Sequence, residues 1–307
     1  MAGTASERAA EQVATYTDWP TLVLVAGFWV ALISVALLNE HIPSVVVIVV
    51  LAILGGLYMS LQHEVIHGHP TRWHRFNRLL IGAPLGLLQP FSRYRATHLA
   101  HHESDLTDPV SDPESFYVLP ETWEHANAAQ RGLLQANRTL AARLTLGPFL
   151  AAWRMINYDI RAASKERGVA SAWLVHIVGC GVVIVAVMRV GLPVWTYFLG
   201  FVYGGASWTA LRSFVEHRAV ASGSRSAVVH TGWFLSVLFL NNNLHYTHHQ
   251  LPGAAWFRLP ELTATLDADT VVADGAGSYR SYRDVLGRYL FRQFDQPVAP
   301  LSAKMEV

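Results

Sequence analysis

The sequence predicts an all-α membrane protein with four transmembrane helices and a cluster of histidines gathered on one aqueous side. Three observations carry this. Of 307 residues, 52% are hydrophobic and only 15% charged, against roughly 25% charge in a soluble domain. Four apolar runs approach the roughly 20 residues that cross a bilayer as helix. Fifteen histidines include the same H-x-x-H-H pattern twice, at His98, His101 and His102 and at His245, His248 and His249.

Residues 1–18 are polar and lack the basic start and small-residue cleavage site of a signal peptide. The first two apolar runs, Thr21–Leu38 and Pro43–Leu61, are joined closely enough to form a helical hairpin. A wetter segment follows, Gln62–Val169. Within it Ile81–Phe91 is apolar but short and rich in Gly and Pro, which predicts a re-entrant or interfacial piece. Glu103–Glu114 is acidic and turn-rich, so Asp105, Asp108 and Asp112 read first as turn formers. Residues 122–167 read as amphipathic helix on the membrane surface. Ala170–Met188 and Leu192–Leu211 are the third and fourth spans. Ala227–Leu240 is too short to cross and is expected at the interface or buried against protein. The four-span core thus occupies 20–260 of a single domain. Residues 261–307 form a soluble tail, with an amphipathic helix over Tyr279–Phe294.

Charge orients the chain. Of 23 Lys and Arg, 12 lie between the second and third spans, nine follow the fourth, and Arg8 precedes the first. Only Arg189 sits in a loop on the other side. The positive-inside rule places both termini and the long segment in the cytoplasm. The net charge of +1 and the absence of a basic, aromatic-interleaved stripe exclude a nucleic-acid role. The single cysteine, Cys180, excludes a disulfide framework.

The histidines carry the chemistry. Positions i, i+3 and i+4 share one helix face, so each H-x-x-H-H can aim three imidazoles at metal. His63 and His67 add an i, i+4 pair just after the second span, and His217 lies where the chain leaves the fourth. One metal cannot use nine nitrogens; two, with four or five each, can. Imidazole suits Zn, Cu, Fe and Ni alike. The number of ligands and the membrane address favour a redox pair activating dioxygen. Glu64, Glu103 and Glu216, adjacent in sequence to ligands, are candidates for orienting an imidazole N–H. His63–His67 also reads H-E-x-x-H, the zinc protease signature with Glu64 as general base. That alternative leaves seven histidines unexplained. A non-catalytic metal carrier or sensor is the third reading.

The spacing H-x3-H, H-x2-H-H and H-x2-H-H resembles the three histidine boxes of the membrane fatty acid desaturase and hydroxylase superfamily, over about residues 20–260. The resemblance implies four spans under a cytosolic helical cap carrying a histidine-rich dinuclear site, with two Fe ions and O2 as co-substrate. Zn is a substitute expected in purified protein. The ligands it implies are His63, His67, His98, His101, His102, His217, His245, His248 and His249. Acyl-CoA desaturases of the family carry an Asn four residues before the extra histidine. Here that position is Ser213, and Asn241, four before His245, is the candidate in its place. With no fused haem domain, electrons must come from a separate ferredoxin- or cytochrome-type donor and its reductase. The segments HHESDLTDPVSDPES and NNNLHYTHHQLPGAAWFRLP resemble a compact bacterial branch, implying the inner membrane. The expected reaction is desaturation of a lipid or fatty acyl-type substrate. A hydroxylase or ketolase, or a desaturase of a carotenoid or small amino-acid-derived molecule, is the alternative on the same scaffold. The sequence fixes no oligomeric state.

Overall fold

The computed structural model describes residues 17–299. Most of the polar N-terminal segment and the end of the tail therefore lie outside the described residues. Asp18 opens the first helix, α1 (Trp19–Leu38), by accepting from the Thr21 amide at 3.0 Å, and Pro20 supplies a preset φ in its first turn. A short connector leads to α2 (Ser44–Ile66). Then come α3 (His74–Ile81), α4 (Phe91–Glu103), the short helices α5 (Pro120–His125), α6 (Ala128–Ala136) and α7 (Leu140–Thr145), and the longer α8 (Gly147–Ala162). The apolar α9 (Val169–Arg189) follows.

Among the described residues three helices are long and apolar enough to cross a membrane: Trp19–His41, Ser44–Ile66 and Val169–Arg189. The fourth expected span is helical but not one α-helix. It runs as α10 (Val194–Tyr197), a π-helical stretch Phe198–Gly204, and α11 (Gly205–Ser213). This composite packs so tightly on α2 that a Cβ on Gly55 would lie 2.1 Å from the Phe201 carbonyl oxygen, and one on Gly205 2.6 Å from the Gly55 backbone. The small residues here serve backbone approach, not room for a substrate chain. Phe28, Tyr58, Tyr197 and Phe201 form an aromatic stack between α1, α2 and this composite, with ring centroids 5.3–6.3 Å apart.

The Gly- and Pro-rich segment after α3 is irregular, and its carbonyls and those of the last turn of α3 are met by side chains from the long helices. Trp29 donates to Leu80 O at 2.8 Å, Gln62 to Ile81 O at 3.2 Å and Tyr197 to Leu85 O at 2.6 Å. Tyr58 donates to Ala83 O. Non-helical backbone among apolar helices requires such partners.

The remaining chain folds over the end of α2. It comprises β1 (Val228–Val229), α12 (Trp233–Phe239), α13 (His245–Gln250), α14 (Leu259–Thr265), α15 (Ala268–Val272), β2 (Ser278–Tyr279) and α16 (Tyr282–Tyr289). β1 and β2 pair in parallel, a two-stranded departure from the all-α expectation. The run Ala227–Leu240 is thus a two-residue strand and a seven-residue helix, its two ends buried around Phe214, Phe239 and Tyr282 while Trp233 is exposed. The tail closes back on the long segment, where the Val118 amide donates to Pro297 O at 2.9 Å and Tyr117 hydrogen-bonds to Asp295. On α8, Phe149, Trp153, Ile156 and Ile160 form an exposed apolar stripe, as expected of a helix lying on a membrane.

Candidate metal centre

The last turn of α2 ends at His63 and His67, the last turns of α4 present His98, His101 and His102, and α13 begins at His245. A sharp reversal makes the third approach possible. Leu240 and Asn241 both take left-handed conformations, φ 50° and 52°, which non-glycine residues adopt rarely and mostly where surrounding structure enforces it. His217 comes from the segment after α11, beside the His217–Ser226 bridge.

These elements bring all nine histidines together, in two groups. His63, His67, His98, His102 and His248 form one; His101, His217, His245 and His249 form the other, the ligand atoms of each group lying within 4.8 Å of one another. The H-x-x-H-H pattern divides by its geometry. At about 100° per residue, i and i+4 diverge by about 40°, whereas i+3 lies about 60° to the other side. His98 and His102 therefore share one group while His101 joins the other, and His245 and His249 share the second while His248 joins the first.

The Nε2 atoms face each other at short range. His67 to His98 is 3.0 Å, His98 to His102 3.2 Å and His102 to His248 3.1 Å. In the second group His101 to His217 is 3.1 Å, His217 to His245 2.9 Å and His245 to His249 3.2 Å. A metal–nitrogen bond of about 2.1 Å sets neighbouring ligand nitrogens about 3.0 Å apart at a right angle and about 3.4 Å at the tetrahedral angle.

The opposite ring nitrogens carry the decisive test. His217 Nδ1 lies 3.3 Å from Arg225 O and 3.2 Å from Ser226 Oγ, and His245 Nδ1 lies 3.2 Å from Asn242 O. A carbonyl accepts, so Nδ1 carries the proton in each and Nε2 presents a bare lone pair. Two lone pairs 2.9 Å apart repel unless a cation lies between them. The residues present therefore fit a metal ion. Electrostatics agrees: burial first, and neighbouring histidines second, push His67, His217, His245, His248 and His249 well below the usual histidine range and His102 down to about 3. Neutral imidazole is the ligating form.

Carboxylates orient two further rings. His101 Nδ1 is 2.7 Å from Asp112 Oδ1, and His98 Nδ1 is 3.0 Å from Glu114 Oε1. Burial opposes the charge on Glu114, but His98 and His101 hold its carboxyl well below the usual range. Burial likewise opposes the charge on His101, and is outweighed by Glu114 and Asp112, which raise it. The expected orienting residues fare differently. Glu216 is buried, 3.6 Å from His245 Nδ1 and paired with Arg212 at 3.0 Å. Glu103 is exposed and bonds to none of the nine. Glu64 accepts from the Trp256 amide at 2.9 Å and groups with Asp18 and His69, away from the His63–His67 rings. The Asn241 amide donates to Trp256 O at 3.0 Å. Its neighbour Asn242 occupies the place instead, with Nδ2 3.4 Å from His63 Nε2 and Oδ1 3.2 Å from His245 Nδ1, one side chain touching both groups. Sequence reading passed over Asn242 and Glu114; the run of three Asn before the third box was the available signal.

A cavity of about 1080 Å3 opens beside the histidines. His98, His217 and His245 line it together with Tyr58, Met59 and Leu88 and the cationic Arg138, Arg143 and Arg154.

No curated protein matches the chain. The fatty acid desaturase family model matches residues 40–283, from the end of α1 through all three boxes into α16. The three apolar helices, the two histidine groups and a family match over most of the chain converge on one conclusion: this is an integral-membrane oxidoreductase, and it belongs to the fatty acid desaturase family.

Proposed function

We propose that the chain is an O2-dependent di-iron enzyme that desaturates a lipid or fatty acyl-type substrate by removing hydrogen from unactivated C–H bonds. The observation that carries this is the division of nine histidines into a set of five and a set of four, eight of them facing a neighbour through Nε2. His63, His67, His98, His102 and His248 would hold one iron, and His101, His217, His245 and His249 the other. The iron pair supplies dioxygen activation, with two electrons per alkene from a separate ferredoxin- or cytochrome-type donor and its reductase. The chain's own work is positional. Asp112, Glu114, Glu216 and Asn242 fix ring orientation. The cavity would bring an apolar chain past His98, His217 and His245. Helix Val194–Ser213 would cross the bilayer as the fourth span, with the histidines and both termini on the cytoplasmic side of a bacterial inner membrane.

Elemental analysis of the protein in detergent, beside His248→Ala and His245→Ala, tests this. About two metals per chain, iron or substituting zinc, are expected, with one site weakened in each variant. Iron-loaded protein with donor and reductase should then yield an alkene in lipid extracts. One zinc per chain, indifferent to both substitutions, would overturn the dinuclear reading.

A further inference from the structure

The wall of the cavity also carries arginines that the histidine centre does not use. Arg143 is 2% exposed and lines it. Among the described residues it makes one hydrogen bond, from Nε to Asn137 O at 3.2 Å; its Nη1 is buried without a partner, and no carboxylate pairs with it. A guanidinium offers five donors and keeps its charge. Arg154 lines the same cavity and donates to the Ser115 carbonyl. Both guanidinium carbons lie over the Phe116 ring, at 3.9 Å for Arg143 and 4.8 Å for Arg154. Arg138, the third, is paired with Asp295 at 3.2 Å. Burial, then the like charges of Arg138 and Arg154, push Arg143 down to about 9, so it still carries its charge at neutral pH.

Two cations sharing one aromatic ring at the wall of a large cavity, one of them with a buried and unpartnered N–H edge, form an incomplete site. The missing element is a planar or tetrahedral oxyanion, which a guanidinium fork grips in bidentate fashion. We propose that the substrate carries a carboxylate or phosphate monoester, held by Arg143 and Arg154 beside Phe116, with its apolar portion extending along the cavity toward His98, His217 and His245. This rests on the reading of the histidine centre as the place of reaction. It narrows the substrate class to ionised amphiphiles and excludes neutral esters and hydrocarbons.

The test is binding, measured without turnover. The full chain is purified in an uncharged maltoside detergent, and iron is quantified in every preparation. Hexadecanoate, hexadecyl phosphate and methyl hexadecanoate are compared by calorimetry and by shift of the melting midpoint, with inorganic phosphate as the headgroup alone. Wild-type protein is expected to bind at least one of the two anions about tenfold or more tighter than the ester. Which anion wins distinguishes carboxylate from phosphate. Arg143→Met should abolish the preference, and Arg143→Lys should restore part of it. Equal binding of ester and anions to wild-type protein, or an undiminished preference in Arg143→Met, would overturn the proposal. If Arg143→Met does not fold, Arg154→Gln and the wild-type comparison decide. Two irons with no anion preference defeats this inference alone, whereas anion preference in a chain that binds no metal pair defeats the di-iron reading alone.

Discussion

His101 Nδ1 and Asp112 Oδ1 stand 2.7 Å apart, with both side chains 1% exposed. The same carboxylate accepts from the Thr107 amide at 2.8 Å and its Oδ1 from the Glu114 amide at 2.9 Å. One aspartate thus folds the acidic loop and aims a ring of the four-histidine group.

Replacing Asp112 with Asn removes the charge that secures this ring. Outer partners of ligating histidines are worth about 10–100-fold in metal affinity, and a loss in that range is expected at the four-histidine group. Glu114→Gln should weaken the five-histidine group instead. Metal titration of each variant in detergent, followed by elemental analysis, separates the two.

Glu64→Gln should leave metal content unchanged. The amide oxygen can still accept from the Trp256 N–H, and the side chain does not face His63 or His67. The zinc protease reading demands the opposite, since there the carboxylate is the base. Retention of both metals, with no peptide hydrolysis in wild type or variant, is the expected result.

Chelation should lower thermal stability. Without a cation, His217 and His245 present bare nitrogens to each other at 2.9 Å. A drop in the melting midpoint on chelation, reversed by ferrous ion, is expected from linkage. Identical melting with and without metal would contradict it.

Arg93 and Asp159 form a buried pair joining α4 to α8, at 2.7 Å to Nη2 and 2.8 Å to Nε, and Asp159 also accepts from Trp173 Nε1 at 2.8 Å. Arg93 also pairs with the half-exposed Glu166 at 2.9 Å, so Asp159→Ala leaves it one carboxylate. Equilibrium unfolding should show a loss smaller than that of a fully stranded buried charge, about 3–5 kcal/mol. Gly205→Ala should also destabilise, by about 1–3 kcal/mol or more, because its Cβ meets backbone that cannot rotate away.

Spacing in the sequence selected eight of the nine side chains that the fold gathers, because i, i+3 and i+4 are fixed by helix geometry; His217 stood out only by its place after the fourth apolar run. Spacing could not say which boxes share a group, which depends on how three helices face one another. Adjacency misled: Glu103 follows His102 directly, yet a step of one residue turns about 100°, and it points to solvent. Asp112 lies far along the chain but returns through a turn to reach His101. Asn242 rather than Asn241 meets the rings because two left-handed residues precede it, a conformation no pattern of Leu and Asn announces. The apolar runs were legible as helices, while the hydropathy of Leu192–Leu211 held no sign of a change of winding.

That change has a consequence for how the protein tolerates length variation. A π turn accommodates about one residue more than an α turn, which advances the phase of everything after it by about 100°. Tyr197, just before it, and Phe201, within it, meet the aromatic stack; after it, Ala206, Thr209, Ala210 and Ser213 border the cavity. The inserted residue works as a clutch between two faces of one rod. Deleting a single residue from 198–204 would wind the helix smoothly and swing the cavity wall out of alignment, with His217 carried along behind it.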